Sequence, residues 1–335
     1  MLVQDKEKIM SSWKIKGLLQ FGAALLSCGF FAYAMAQDYP SKSVRILVGF
    51  AAGGGTDTAA RMVAQKLFES LGQPVVVENR PGSGGIIATD AVAKAAPDGY
   101  TLLMMAAADS IQPAVRLKMP YEIPKDFSPI SLVVSGAFVL VIHPSVPARN
   151  MKELIAIARN RPGQLNYATS GIGSSAHLAA ELMNFLAKTK TIHVPYKGVS
   201  QGVVGVASGE ADMIFASVTA AQPLIDSGRL RPIAMSTAKR SALMPNMPTL
   251  HESGVPGYDR TGWYGMMGPA GLPRDVLTKL NASIVKAVNT PEMKAAFFKQ
   301  GLEVETNTPE QFTEMIRREV EQNIKLARTA GIKPQ

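Results

Sequence analysis

Two glycine-rich stretches hold the residues whose types and spacing could do chemistry. Ala51-Ala52-Gly53-Gly54-Gly55-Thr56-Asp57 follows an apolar run over residues 44–50, and Thr169-Ser170-Gly171-Ile172-Gly173-Ser174-Ser175 follows a shorter one over 165–168. A helical pattern comes next in both cases, so each stretch is a turn from the carboxyl end of a strand into a helix. The first turn of a helix leaves backbone N–H groups without partners, and the aligned peptide dipoles add roughly half an elementary positive charge. Such a turn can hold an anion with no charged side chain. Glycine permits close approach to the backbone, and Thr56, Thr169, Ser170, Ser174 and Ser175 offer hydroxyl donors. One such turn is equally well a tight connection with a capped helix. Two of them, one in each half of a β/α pattern, favour binding. Asp57 reads first as a carboxylate favoured by the helix dipole, and only second as an acid.

The elements that must position these turns are legible. Ala59, Met62, Val63, Leu67 and Leu71 share one helical face, which Gly72 ends. Strands over 75–77 and 101–105 flank a helix over 85–95, giving a β-α-β-α-β order and a mostly parallel sheet covered on both faces. The pattern restarts with strands over 138–142, 165–168, 192–194, 213–215 and 231–235 and helices over 151–158, 174–187 and 203–207. That is a second β/α lobe. Residues 273–330 are predicted largely helical, with helix starts at Thr290-Pro291-Glu292 and Thr308-Pro309-Glu310. Residues 245–273, rich in Gly and Pro, are predicted as a long connection over the surface.

The amino-terminal end has a different character. Residues 17–34 are apolar and uncharged, Lys14 and Lys16 precede them, and Ala34-Met35-Ala36 is a small-x-small cleavage signature. This layout predicts an export signal over residues 1–36, cut near Ala36-Gln37. A membrane anchor is the other reading of the run. Leu25-Leu26-Ser27-Cys28 also loosely resembles a lipidation box, with Leu26 bulky for that motif. Cys28 is the single cysteine, so a cleaved chain has no disulfide and no thiol chemistry. Residues 1–36 hold four Lys and two acids of the 35 basic and 26 acidic residues, so cleavage leaves 31 and 24 and a net charge of +7. The basic residues are scattered, which argues against nucleic acid, and a modest positive field suits small anions.

Other constellations are weak. Neither glycine-rich turn supplies the Gly-Lys-Ser/Thr of a phosphate loop, Gly82-Ser83-Gly84-Gly85 lacks dinucleotide spacing, and there is no Gly-x-Ser-x-Gly elbow. His143, His177, His193 and His251 form no metal-spaced pair. His177, one turn into its helix, reads as a packed histidine ahead of a base. No cofactor and no metal are expected.

The order and spacing of several segments resemble the Bug family, the TctC-like extracytoplasmic receptors of tripartite tricarboxylate transporters. The segments are residues 50–57, Val77-Glu78-Asn79-Arg80-Pro81-Gly82-Ser83-Gly84-Gly85, Asp98-Gly99-Tyr100-Thr101-Leu102, residues 167–178, Val194-Pro195-Tyr196-Lys197-Gly198 and Trp263-Tyr264-Gly265. The resemblance runs from about Tyr39 to the carboxyl terminus. It implies an α/β, periplasmic-binding-protein-like fold with two lobes and a ligand cleft between them. The expected division is residues 37–138 and 237–335 in lobe one and 139–236 in lobe two, with the chain crossing near 138–142 and returning near 231–237. It implies a periplasmic monomer that captures a small carboxylate and delivers it to membrane permease subunits; a sensor feeding a sensor kinase shares the same fold, and a hydrolase of small carboxylates is a lesser alternative. The expected ligand-binding residues are Phe50, Ala51, Gly53, Gly54, Gly55, Thr56, Asp57, Ala107, Asp109, Thr169, Ser170, Gly171, Gly173, Ser174, Ser175, His177, Tyr196, Lys197 and Phe215. Two stretches depart from the usual pattern, Val199-Ser200-Gln201-Gly202 and Ala106-Ala107-Ala108-Asp109-Ser110. In the second, Asp109 reads either as a helix cap or as a carboxylate that selects against a second ligand carboxylate.

Overall fold

In a computed structural model that describes residues 39–334, the chain begins with β1 (Val44–Val48), α1 (Gly55–Leu71), β2 (Val75–Asn79), α2 (Ile86–Ala93), β3 (Thr101–Ala106) and α3 (Gln112–Val115). It continues through β4 (Phe127–Ile142), α4 (Met151–Asn160), β5 (Asn166–Thr169), α5 (Ser175–Ala187), β6 (Ile192–Pro195), α6 (Val199–Ala207), β7 (Met213–Ser217), α7 (Val218–Asp226) and β8 (Arg231–Met235). The last elements are β9 (Thr261–Pro269), α8 (Arg274–Val288), α9 (Pro291–Lys299), β10 (Glu303–Val304) and α10 (Pro309–Thr329). The segment read as an export signal, with Cys28, lies outside the described residues.

One sheet runs in the order β2-β1-β3-β9-β4-β7-β5-β6, with β8 and β10 also paired to β4. β4 is shared by the two lobes. Its residues 127–137 pair with β9, and its residues 138–142 lie between β7 and β8. In the second lobe Leu140 and Ile142 point into a core with Tyr167, Met183 and Phe215, while Val139 and Val141 point into another with Val203, Val206 and Ile214. A strand covered by helices on both faces is apolar at every position, which is why the run over 138–142 is visible in the sequence. The first lobe packs Leu47, Leu103, Met105, Trp263 and Met267 against Phe312 and Ile316 of α10. A smaller cluster joins the lobes: Ile111, Ala114 and Val115 meet Leu178 of α5 and Leu326 and Ala327 of α10.

The helix starts expected in the tail are present. Thr290 accepts from the Met293 N–H, and Thr308 and Gln311 form a reciprocal capping box at α10. Two expectations need correction. Residues 245–273 are not a surface connection, since β9 lies within them, between β3 and β4, with Trp263 only 2% exposed. Gly262, Gly265 and Gly268 break its alternation, and each is small because a neighbour closes on it: Phe138, Phe312 and Leu272 respectively. β4 also begins eleven residues before the expected strand, at Phe127 rather than 138. Ser128, Pro129, Ser131, Ser135 and Gly136 punctuate that half and hide it. The segment between β8 and β9 packs with the second lobe, where Leu250, Val255 and Tyr258 join the core of Leu140 and Phe215.

Candidate functional site

A cleft of about 680 Å³ opens between the lobes. The first lobe lines it with Phe50, Gly53, Gly55, Thr56 and residues 106–108, the second with Ser170, residues 172–176, Val199, Ser200 and Phe215. Its floor is the shared region, residues 136–138 of β4 and 262–264 of β9. No Asp, Glu, Lys, Arg, His or Cys is among the lining residues. Any charge placed here is met by dipoles and neutral donors.

The first glycine-rich loop is held from behind. Gly54 is the residue before α1, and no side chain caps the helix. The first helical bond runs from the Thr58 N–H to the Gly54 carbonyl at 2.9 Å, so the N–H groups of residues 55–57 precede it. Asp57 turns away from the cleft. Its Oδ2 accepts from the Gly53 N–H at 2.8 Å and from Arg61 Nε at 3.0 Å, and its Oδ1 accepts from Asn79 Nδ2 at 2.9 Å. Asn79 Nδ2 also donates to the Phe50 carbonyl at 3.1 Å. Burial pushes the Asp57 carboxyl up, but the bonds from Arg61, Gly53 and Asn79 outweigh it and hold the carboxyl below its ordinary value. Gly53 needs its glycine, with φ of +79°, whereas Gly54 has an ordinary φ of −75°. Gly55 is required sterically, because a Cβ there would lie 2.5 Å from the Tyr264 hydroxyl. That hydroxyl bonds with the Thr56 side chain, and burial raises its pKa.

The second loop is held by two stacked imidazoles. Ser174 caps α5 by accepting from the His177 N–H at 3.3 Å, and the Gly173 N–H donates to His177 Nδ1 at 3.1 Å. The His177 ring stacks on His193 with centroids 4.2 Å apart. His193 Nε2 lies 2.6 Å from Thr169 Oγ1, which accepts from the Gly171 N–H at 3.0 Å. Burial, with the neighbouring His193, brings His177 down to about 4, so the ring is neutral and its Nδ1 is an acceptor. Gly171 and Gly173 have φ of +114° and +75°. The N–H groups of Ser175 and Ala176 precede the first helical bond of α5, Leu178 N–H to the Ser174 carbonyl at 3.1 Å.

Of the expected residues, Phe50, Gly53, Gly55, Thr56, Ala107, Ser170, Gly173, Ser174, Ser175 and Phe215 come together on the cleft wall. Ala51 and Gly54 are exposed beside the first loop but not on that wall, and Asp57, Thr169, Gly171 and His177 support the loops from behind. Tyr196 bonds Glu210 at 3.4 Å, and the neighbouring Lys197 is exposed. Asp109 is 1% exposed, and its Oδ2 accepts from the Ala106 N–H at 2.8 Å, so it is not the cap of the turn it opens. Sequence reasoning missed Gln112, Phe138, Ser200, Thr219, Tyr264 and Gln300, all on the wall. The signal for Tyr264 was the apolar Trp263-Tyr264-Gly265 run. The two stretches that depart from the family pattern both contribute to the wall, through residues 106–108 and through Val199 and Ser200. Among the described residues, no cluster of His, Cys, Asp or Glu could hold a metal ion, and no helix is long and apolar enough to cross a membrane.

Two α/β lobes around an uncharged cleft, joined through a shared strand, define a solute-binding protein of the periplasmic-binding class. The chain belongs to the tripartite tricarboxylate transporter receptor family, TctC, whose sequence pattern matches residues 59–332. Protein BugT of Bordetella pertussis is 35% identical over 318 residues, covering 94% of this chain and 98% of BugT. An R. palustris protein solved with adipate is 32% identical, with a TM-score of 0.77 over 89% of this chain and 100% of that one. MatC from Rhodopseudomonas palustris, solved with bound malate, is 28% identical, with a TM-score of 0.72 over 86% and 99%.

Proposed function

We propose that the protein is an exported receptor that captures a small carboxylate in the cleft, leaves it chemically intact and delivers it to the membrane permease of a tripartite tricarboxylate transporter. The observation that carries this reading is the pair of helix starts, α1 and α5, that contribute residues to opposite walls of an uncharged cleft. A carboxylate between them meets the N–H groups of Gly55 and Thr56 from one lobe and of Ser175 from the other, with the Thr56, Ser174 and Tyr264 hydroxyls beside them. The adipate and malate of the solved relatives support a carboxylate here. Capture without turnover agrees with a wall that offers no carboxylate, imidazole, amine or thiol as base or nucleophile. The layout of residues 1–36 supports export. The proposed lobes are residues 42–137 with 261–334, and 138–260. The proposed return lies near 261, later than the expected 237, and the packing of Leu250, Val255 and Tyr258 in the second core supports it.

A thermal-shift screen of mono-, di- and tricarboxylates on the chain from Gln37 tests this. A ligand at a hundred times its Kd stabilises the folded state by about 2.7 kcal/mol, a shift of several degrees. The reading fails when no carboxylate raises the melting temperature.

A further inference from the structure

One ionisable side chain is buried against the back of the cleft wall with one of its two carboxyl oxygens unpartnered. Asp109 is 1% exposed. Its Oδ2 accepts from the Ala106 N–H at 2.8 Å, while its Oδ1 has no partner. A buried carboxylate oxygen without a donor is costly, and folded proteins rarely keep one without a use. Around it the wall is thin. A Cβ on Gly85 would collide with Asp109 Oδ1 and would lie 3.5 Å from the tip of the Phe50 ring. Phe50, Gly84, Ala106 and Ala108, which surround this point, all line the cleft. Phe50 is only half-buried, at the end of β1 and ahead of the first glycine-rich loop. No cation on the wall could balance a second ligand carboxylate at this end, and Asp109 in its ionised form would repel one.

We propose that the half-buried Phe50 ring turns aside to admit ligand to Asp109, that Asp109 forms a second ligand subsite there, and that the ligand is a carboxylate bearing a hydrogen-bond donor, an amine or a hydroxyl, where a dicarboxylate has its second acid. The proposal rests on carboxylate capture by the two loops and adds what the far end of the ligand must be. The donor completes the empty valence of Oδ1, and a carboxylate in the same place leaves two acids facing each other.

The experiment titrates, at a pH above 8 where Asp109 is ionised, ligands that differ only at the far end into the wild-type protein and Asp109→Asn. At four carbons these are butanoate, 4-aminobutanoate, 4-hydroxybutanoate and succinate; at six they are hexanoate, 6-aminohexanoate, 6-hydroxyhexanoate and adipate. For the wild type, the amino or hydroxy ligand of at least one length binds ten times or more as tightly as the dicarboxylate and the unsubstituted acid of that length. Asp109→Asn narrows that ratio at least fivefold. The wild-type ranking is decisive by itself if the variant does not fold. A dicarboxylate that binds as tightly as the donor-bearing ligand, or a ratio unchanged in a folded Asp109→Asn protein, overturns the subsite and leaves carboxylate capture standing. Silence from all eight ligands overturns the subsite, and silence from a wider mono-, di- and tricarboxylate panel overturns carboxylate capture as well.

Discussion

The contact between Gly55 and Tyr264 allows a quantitative test of how the first loop works. A Cβ on Gly55 would stand 2.5 Å from the Tyr264 hydroxyl, against roughly 3.5 Å for an ordinary contact. Gly55→Ala therefore displaces that hydroxyl, and with it the bond to Thr56. Gly55 opens α1 with no positive φ to satisfy, so alanine is acceptable to the helix backbone itself. Alanine gains about 0.5–1 kcal/mol in the helix, which offsets part of the roughly 1–3 kcal/mol cost of displacing a buried tyrosine, so stability should fall by about 2 kcal/mol or less. Affinity should fall as well. A hydrogen bond to a charged group is worth about 1.5–3 kcal/mol, so loss of the Tyr264 donor weakens carboxylate binding about tenfold or more. Tyr264→Phe removes the same donor directly. The two substitutions share one cause, so the double variant should bind about as well as Tyr264→Phe alone. Calorimetric titration of the four proteins, with melting curves for each, measures the cycle. Unchanged affinity in Gly55→Ala, or two losses that add in full, would refute the reasoning.

Two further outcomes follow from buried titrating groups. Burial pushes the Asp109 carboxyl up to about 7, with the Ala106 N–H opposing, a rise of about 3 units worth about 4 kcal/mol at roughly 1.4 kcal/mol each. Because the folded value is raised, the contribution is complete below the unfolded pKa near 4 and is lost as pH rises through about 7; the stability of wild type minus that of Asp109→Asn should fall between pH 4 and 8 in urea titrations, and a flat difference would contradict it. The His177 ring should stay neutral down to pH 5 and titrate near 4, so its NMR signals should hold steady above pH 5, and a midpoint near 6.5 would show that it does not hold the Gly173 N–H.

The sequence reveals the loops and conceals what surrounds them. Residues 50–57 and 167–178 are legible because strand, glycines, hydroxyls and helix all occur within a dozen residues. Asp57 and His177 are legible as first-turn polar residues, but not their direction. Each turns back to hold an N–H of its own loop, Gly53 and Gly173, and only the packed structure shows which way a side chain faces. The glycines of the first loop are legible, but not what each one serves: Gly53 meets a positive φ, and Gly55 makes room for Tyr264, a neighbour more than two hundred residues along the chain. β9 was hidden for a similar reason. Its glycines serve Phe138, Phe312 and Leu272, and no local pattern announces partners so distant.

On the proposed reading, backbone and hydroxyl dipoles, without a charged side chain, hold a carboxylate between α1 and α5. This capture is tested most directly by titrating the tightest carboxylate of the screen against its primary amide, an uncharged analogue of nearly the same shape. Recognition by N–H groups and helix starts depends on the negative charge. The carboxylate should bind at least a hundredfold more tightly than the amide, and Gly55→Ala should erode that advantage. An amide that binds within threefold of the acid would contradict the account.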